Sequence, residues 1–206
     1  MWPELEKTEK LLDQAREGDG TAVNELIERH RGALRHLVRM RLDRKIQRRV
    51  DVSDVVQEVL IEANRRLKTY LENPVMPFHL WVRHIARDRI IDAHRRHRGS
   101  AKRSIDREQP MVIPGGFDQS SIILANQLVD QGKTPAAKTL EKELAGRVED
   151  AITQLDDVDA EVIVMRHYEQ LSNQEIAQAL GLTEPAASMR YLRAVRRLRD
   201  LMQSLT

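Results

Sequence analysis

The stretch from Leu171 to Arg199 has the pattern of a helix-turn-helix, and it constrains the fold more than any other part of the chain. Ser172 can cap a first helix, and Gly181 supplies the positive φ that a tight turn between two helices requires. Thr183 can cap a second helix, and Pro185 lies in the first turn of that helix, where a missing N–H costs little. The C-terminal end of the chain is therefore predicted to be a pair of helices.

The second helix of this motif has an apolar face and a basic face. Its inward stripe, with spacings of 4, 3 and 4, comprises Ala187, Tyr191, Ala194 and Leu198. Its outward positions are Ser188, Arg190, Arg193, Arg196 and Arg197. A helix about 10–12 Å across fits the major groove of DNA, and guanidinium groups suit both phosphates and the guanine edge. The pattern predicts a DNA-reading helix; the alternative is an ordinary helical hairpin with a solvated basic face.

Composition favours an all-α protein. Aromatic residues make up only 3% of the 206 residues, which argues against a β-sandwich or a stacking platform for single-stranded RNA. The chain has no cysteine, which excludes disulfides and thiolate metal sites and fits a reducing cytoplasm. Neither a signal-peptide core nor an apolar run of about 20 residues is present. We therefore expect a soluble, cytoplasmic protein that does not bind membranes.

Charge is distributed unevenly although the net charge is only +2. Residues 1–30 carry eight acidic and four basic side chains, whereas residues 78–103 carry eight basic and two acidic ones. The chain thus has a second basic helix about a hundred residues before the first one described. Two basic helices indicate contact with two sites on one nucleic acid, or with one nucleic acid and another polyanion.

The periodicity predicts two small helical domains joined by a long irregular linker. The first domain covers residues 1–98, with helices over 5–16, from a Thr21 cap to about 42, from an Asp51 or Ser53 cap onward, and over 78–98. The third of these helices has a clear buried stripe of Val52, Val55, Val56, Val59, Leu60, Ala63 and Leu67.

Residues 99–135 are predicted to be an acidic, flexible linker, because the periodicity fails there and proline and glycine accumulate. A short amphipathic helix over 120–131 is possible within it. Its acidic residues are Asp106, Glu108, Asp118 and Asp130. The second domain, residues 136–206, is predicted to contain four helices and to end in the helix-turn-helix.

Two stretches in the first domain and one in the second resemble the bacterial extracytoplasmic-function (ECF) sigma factors of RNA polymerase. They read DVSDVVQEVLIEANRRL, FHLWVRHIARDRIIDAHRRHR and LSNQEIAQALGLTEPAASMRYLRAVRRLRDLM. The resemblance covers nearly the whole chain and has the parts in the family's order. It implies a sigma region 2-like first domain, a region 4-like second domain, and a factor that directs core polymerase to promoters and helps to open them. It also implies that the acidic linker occupies the channel later used by RNA.

The family's region 2 grips the clamp of the polymerase β′ subunit through a motif like D-x-V-Q-E. The matching positions here are Asp54, Val55, Val56, Gln57 and Glu58. The predicted polymerase contacts are Asp54, Val55, Gln57, Glu58 and, one turn further along, Glu62. The polar members lie opposite the apolar stripe, so they are predicted to face outward. The alternative for this face is an ordinary solvated helix surface.

The resemblance also places contacts with the −10 promoter element in the last helix of the first domain and in the loop before it. The positions concerned are Asn73, Arg83, Arg87, Asp88, His94 and Arg98. The four basic ones are spaced by 4, 7 and 4, so they are predicted to form one stripe along a phosphate backbone. The family usually has Asn where this chain has Asp88; a carboxylate cannot donate, so Asp88 either pairs with a neighbouring arginine or accepts from a cytosine amino group.

Contacts with the −35 element are implied for the helix-turn-helix. They fall on Thr183, Ser188, Arg190, Arg193, Arg196 and Arg197. Arg190 and Arg193 match the family's usual arginines, whereas Ser188 replaces a common lysine and Pro185 a frequent glycine. We expect Arg190 to reach bases or adjacent phosphates and the later arginines to contact mainly phosphates.

Two other classes of function compete with the sigma factor interpretation. A DNA-binding regulator that works without polymerase would use its first half to bind a ligand or to dimerise, rather than to carry a basic helix and an acidic face. A metal-dependent nuclease could use His94 and His97 or His79 and His84, but these lie among arginines that repel a cation and lack paired carboxylates. No catalytic residue, metal site or cofactor is predicted; the expected partners are the β′ and β subunits of core polymerase, promoter DNA and, in many relatives, an anti-sigma protein.

Overall fold

A computed structural model of the protein describes residues 2–42, 44–98, 119–128 and 138–204. Over these residues the chain forms ten helices and no strand, so the predicted all-α class is confirmed. The chain falls into two compact units, which we call unit 1 and unit 2, on either side of the junction between residues 105 and 106.

Unit 1 contains five helices. They are α1 (Leu5–Arg16), α2 (Gly20–Arg41), α3 (Arg44–Gln47), α4 (Val52–Glu72) and α5 (Phe78–Arg98). Asp19, and not Thr21, caps α2, because the backbone N–H groups of Thr21 and Ala22 donate to Asp19 Oδ1 at 2.8 and 3.2 Å. Asp51 caps α4 in the same way, by accepting from the Ser53 N–H at 2.7 Å.

The core of unit 1 lies where α2 packs against α1, α4 and α5, and where α4 packs against α5. Its fully buried side chains include Leu26, Leu34, Val38, Val59 and Leu80. An aromatic cluster closes one end of this core and includes His30, Tyr70, Phe78 and Trp81. The Tyr70 hydroxyl donates to the Met76 carbonyl at 2.8 Å, so this cluster also holds the loop between α4 and α5.

Unit 2 contains five helices in its described residues. They are α6 (Gln119–Leu128), α7 (Lys138–Ile152), α8 (Asp157–His167), α9 (Asn173–Leu180) and α10 (Glu184–Ser204). The core includes Val148, Ile152, Ile163, Ile176 and Leu198, each at most 2% exposed. This core holds the pair α9–α10 against α7 and α8.

The short helix predicted within the linker is present as α6, and it packs against α7. Leu124 is buried, and Ser121 Oγ donates to Glu149 Oε1 at 2.7 Å and lies 3.0 Å from the Tyr168 hydroxyl. Because α6 shares this buried cluster, the helical packing of unit 2 begins at α6 rather than at residue 136. The rest of the predicted linker, 99–118 and 129–135, lies outside the described residues, as do its four acidic side chains.

Candidate polymerase and nucleic-acid interfaces

The polar face of α4 lies opposite its buried stripe, as the periodicity predicts. Asp54 and Gln57 are exposed, and Glu58 and Glu62 are half-buried. Val55, in contrast, is only 1% exposed. Its spacing of four residues from Val59 puts it on the inner stripe, so it packs in the core and the prediction that it contacts polymerase is corrected.

Arginines from within unit 1 hold the acidic side chains of this face. Arg96 on α5 donates to both oxygens of Glu58, at 3.2 and 2.9 Å. Glu62 accepts from Arg65 at 2.7 Å and also from Arg66, and these hydrogen bonds hold the pKa of Glu62 below its usual value. These hydrogen bonds orient both carboxylates before any partner arrives. A partner that uses them must match or replace the arginines.

The loop between α4 and α5 presents polar and apolar groups to solvent. Asn73 ends α4 and is exposed, and Val75 is 65% exposed. The hydrogen bond from Tyr70 to Met76 anchors the other side of the loop. The predicted contact residue Asn73 is thus accessible on a loop whose base is fixed.

The predicted basic stripe of α5 is interrupted. Arg83 is only 1% exposed, so the prediction that it faces solvent is wrong. The reason is that the N-terminal part of α5 is enclosed on most sides, since His79, Leu80 and Val82 are also at most 4% exposed and only Trp81 and His84 are half-buried. Burial, followed by the charges of Arg83 and Arg87, lowers the pKa of His84 in this crowded region.

The accessible part of the stripe begins further along α5. Arg87 and His94 are half-buried and Asp88 is exposed, while only the backbone of Arg98 is described. Arg89 lies 3.4 Å from Asp92, so one of the arginines flanking Asp88 has an acidic partner on its own helix. The surface that α5 offers a phosphate backbone is therefore shorter than the sequence predicts.

The helix-turn-helix of unit 2 has the capping that the sequence predicts. Ser172 Oγ accepts from the Glu175 N–H at 3.2 Å, and Glu175 in turn accepts from the Ser172 N–H at 2.7 Å. Gly181 has φ +65° and ends α9 in the left-handed conformation. The exposed Thr183 accepts from the Ala186 N–H at 3.4 Å at the start of α10.

The predicted inward residues of α10 are buried, except that Tyr191 is half-buried. Its hydroxyl lies 3.0 Å from His167 Nε2, and the two rings stack at 5.7 Å. On the outward side, Arg193 and Arg196 are exposed, and Ser188 is half-buried and accepts from Asn173 at 3.1 Å. The two helices of the motif are thus joined by both apolar and polar contacts.

Two of the predicted DNA-contacting arginines lie beside acidic side chains, one on α8 and one at its N-cap. Arg190 lies 3.6 Å from Asp159, and Arg197 lies 3.6 Å from Asp156. Burial and the neighbouring Asp156 carboxylate raise the pKa of Asp159. Sequence reasoning missed both pairs, because the partners are far apart in the chain. Arg193 and Arg196 are consequently more available to DNA than Arg190.

Sequence reasoning also missed a basic groove in unit 1, although residues 41–50, RLDRKIQRRV, are rich in basic side chains. Four exposed arginines line it: Arg35, Arg39, Arg48 and Arg49. Gln47 holds the turn beneath them by donating to the backbone carbonyls of Arg39 and Leu42. The groove adds positive charge to a unit whose first 30 residues carry more acidic than basic side chains.

Two general findings concern the described part of the chain. None of its helices combines the length and the apolar character that crossing a membrane requires. Its histidine, aspartate and glutamate side chains form no group of three or more that could hold a metal ion.

Comparison with known proteins follows the same division of the chain. Residues 26–100 match the family model Sigma-70 region 2, and residues 145–198 match Sigma-70, region 4. The ECF RNA polymerase sigma factor SigD of Mycobacterium tuberculosis is 26% identical over 196 residues, which cover 95% of this chain and 84% of SigD.

Two further relatives and one solved structure agree with these matches. The RNA polymerase sigma factors CnrH of Cupriavidus metallidurans and NccH of Alcaligenes xylosoxydans xylosoxydans are 26% and 27% identical, over 94% and 95% of this chain and 93% and 95% of their own lengths. The structure of CnrH in complex with the cytosolic domain of CnrY has a similar fold, with a TM-score of 0.58 and 23% identity over 97% of this chain and 99% of that one. The chain therefore belongs to the ECF sigma factors, the initiation factors that bind core RNA polymerase and direct it to specific promoters.

Proposed function

We propose that the two units divide the work of promoter recognition. In this proposal unit 1 docks on the polymerase clamp through α4 and contacts the −10 element through α5 and the preceding loop. Unit 2 contacts the −35 element through α10. The observation that carries the proposal is the outer face of α10, where Arg193 and Arg196 are exposed. α10 is the second helix of a helix-turn-helix whose first helix, α9, is capped at both ends.

The polymerase contact is assigned to Asp54, Gln57, Glu58 and Glu62. Two observations support this assignment: the polar groups lie on one accessible face of α4, and hydrogen bonds fix the orientation of the two glutamates. A basic surface on the β′ clamp would then replace Arg96, Arg65 and Arg66 as the partner of Glu58 and Glu62. Because the glutamates are already paired with cations, little further desolvation of charge is needed.

The −10 contact is assigned to Asn73, Arg87, Asp88, His94 and Arg98. Arg83 is left out because of its burial. Asn73 is the neutral donor and acceptor of the loop, and Arg87 and His94 supply positive charge along α5. Binding of a melted strand here would help to open the promoter.

The wider setting follows from these assignments. The chain acts as a binding factor in the cytoplasm, where core polymerase is, and leaves the chemistry of RNA synthesis to the core. The CnrH complex contains the cytosolic domain of CnrY. By analogy we infer that this chain also binds a partner protein, and the family resemblance makes an anti-sigma protein the expected partner.

The test is a binding measurement with purified bacterial core polymerase. The double variant Asp54→Arg, Glu58→Arg should reduce core binding at least tenfold, because two attractive charges become repulsive. Glu9→Arg reverses a charge at an exposed position on α1, a different helix, and should leave binding unchanged. Circular dichroism checks that all variants keep their helicity; normal core binding by the double variant would refute the clamp assignment.

Transcription in vitro tests the proposal as a whole. The chain and core polymerase are mixed with genomic fragments from the organism that encodes the chain, and the RNA 5′ ends are mapped. Initiation at defined sites only in the combined sample supports the proposal. Tight binding of the chain alone to duplex DNA, without any effect of polymerase, would instead indicate a stand-alone regulator.

A further inference from the structure

The outer face of α10 carries a group of exposed apolar side chains ahead of Arg193. Met189 is 65% exposed and Leu192 is 49% exposed, and Pro185 and Ala186 are also exposed. Met189 lies nine residues from the buried Leu198, which corresponds to about 180° of helix rotation. It therefore occupies the centre of the face that points away from unit 2.

The basic side chains lie to the side of this centre or further along the helix. Arg193 and Arg196 begin one turn after Met189. Arg190 follows Met189 directly but lies on the flank of the helix, beside Asp159 at 3.6 Å. The group best placed to enter a groove first is thus a thioether side chain and not a guanidinium.

The geometry of helix-turn-helix docking gives this arrangement a meaning. The N-terminal residues of the second helix contact base edges in the major groove. The C5-methyl group of thymine is the apolar group that the base pairs present there, and apolar side chains contact it. Side chains further along the helix meet the phosphate backbone, where arginine is suited to bind.

We propose that Met189, with Leu192 beside it, recognises thymine in the −35 element by contact with the C5-methyl group. Part of the promoter specificity then comes from apolar contact, and Arg193 and Arg196 supply affinity through phosphates. This inference rests on the proposed function, in which α10 enters the major groove.

The test uses the full chain bound to core polymerase and a duplex library with a randomised −35 region. The library is copied once with thymine and once with uracil, which differs only by the missing methyl group. We expect selection by the wild type to enrich one or more thymine positions, and the preference at these positions to fall about three- to fivefold in the uracil library, as expected for one buried methyl.

Variants tie the effect to the side chain. Met189→Ala should abolish the difference between the two libraries, and Leu192→Ala should reduce it. Val158→Ala removes a comparably exposed apolar side chain from α8 and should leave the difference unchanged. Because all three side chains are exposed, thermal melting should not change by more than a few degrees.

The possible outcomes distinguish a failure of this inference from a failure of the proposed function. A motif enriched equally in both libraries would overturn the methyl contact and leave the sigma function intact. A Met189→Ala protein that binds core polymerase less tightly but keeps the thymine preference would make the apolar patch a protein contact. Failure of the holoenzyme to enrich any sequence would overturn the proposed function itself, and the inference with it.

Discussion

The two basic helices, α5 and α10, look alike in sequence but differ in the way their units surround them. In α5 the first turns are enclosed by the other helices of unit 1, so that Arg83 is 1% exposed. In α10 only one stripe is covered, and Arg193 and Arg196 remain exposed along the opposite face. Which side chains the neighbouring elements cover, more than the number of arginines, decides whether a basic helix is a surface for nucleic acid.

The difference also separates two ways of using an arginine. A buried arginine has lost its hydration, so its internal contacts must stabilise it, and its removal affects folding. An exposed arginine contributes little to folding and can exchange water for phosphate. Substitution of the buried arginine in α5 should therefore change folding stability, and substitution of an exposed arginine in α10 should change DNA binding.

The largest effect is expected for Arg83→Ala, which should lower the free energy of unfolding of unit 1 by about 3 kcal/mol. The chain has two tryptophans, Trp2 and Trp81, and both are in unit 1, so urea unfolding followed by tryptophan fluorescence measures this unit alone. The matched variant Arg193→Ala should change the free energy of unfolding of unit 2, followed by hydrogen exchange, by less than about 0.5 kcal/mol. Unchanged unfolding of the Arg83 variant, together with lost DNA binding, would show that the two helices are alike after all.

Acid should destabilise unit 1 more than unit 2. His30 lies against Phe78 of α5, and burial lowers its pKa to about 4. Its folded pKa is below the unfolded value near 6.5, so stability is complete above pH 6.5 and is lost as the pH falls towards 4; the loss at pH 5 is about 2 kcal/mol.

His167, which stacks on Tyr191 of α10, has its pKa lowered to about 4 by burial and by Arg166, but its ring is partly exposed, so we expect a smaller loss. Urea unfolding at pH 7.5, 6 and 5 measures unit 1, and hydrogen exchange resolves unit 2. His30→Leu should reduce the pH dependence of unit 1 and leave that of unit 2 unchanged. A wild-type unit 1 whose stability is constant from pH 7.5 to 5 would contradict this account.

Arg193→Ala should weaken binding to a duplex carrying the −35 element about fivefold, because it removes one phosphate contact. The slope of log affinity against log salt should fall by about one unit. Arg87→Ala on α5 should leave this duplex measurement unchanged and should act only when the −10 region is present. A salt slope that is the same in the Arg193 variant and the wild type would exclude the phosphate contact.

The smallest effect is expected for Asp159→Asn, which should raise affinity for the same duplex about two- to threefold by releasing Arg190. Asp157→Asn makes the same change of charge at an exposed position of α8 and serves as the control. The gain should shrink at high salt, because counterions screen the pair. Equal gains in both variants would assign the effect to net charge rather than to the pair.

Much of the fold follows from local signals in the sequence. The bounds of α1 and α5 agree with the periodicity and with the helix-breaking residues around them, such as Pro77 before α5. Ser172 and Gly181 specify the start and end of α9 through their own hydrogen bonds and φ. These features depend on residues within a few positions of each other, which is why the sequence alone suffices.

The site is less predictable because it depends on packing between distant segments. The spacing of Arg83 correctly assigns its angle on α5, but it does not say how many helices surround that angle. The pair of Arg190 and Asp159 joins residues on separate helices. Met189 could have been found: the same spacing that puts Leu198 inside puts Met189 outside, and an apolar residue there departs from the binary pattern.

The buried cluster of Ser121, Glu149 and Tyr168 determines which truncated fragments of unit 2 can stay folded. A fragment that begins at residue 136 would lose the hydroxyl that Glu149 accepts from and would leave the α7 surface under Leu124 bare. Glu149 is 5% exposed, so the loss of α6 would uncover this carboxylate together with the apolar surface beside it. A protease that removes α6 should therefore yield an aggregation-prone remnant, whereas cleavage just before α6 should release a piece that stays folded.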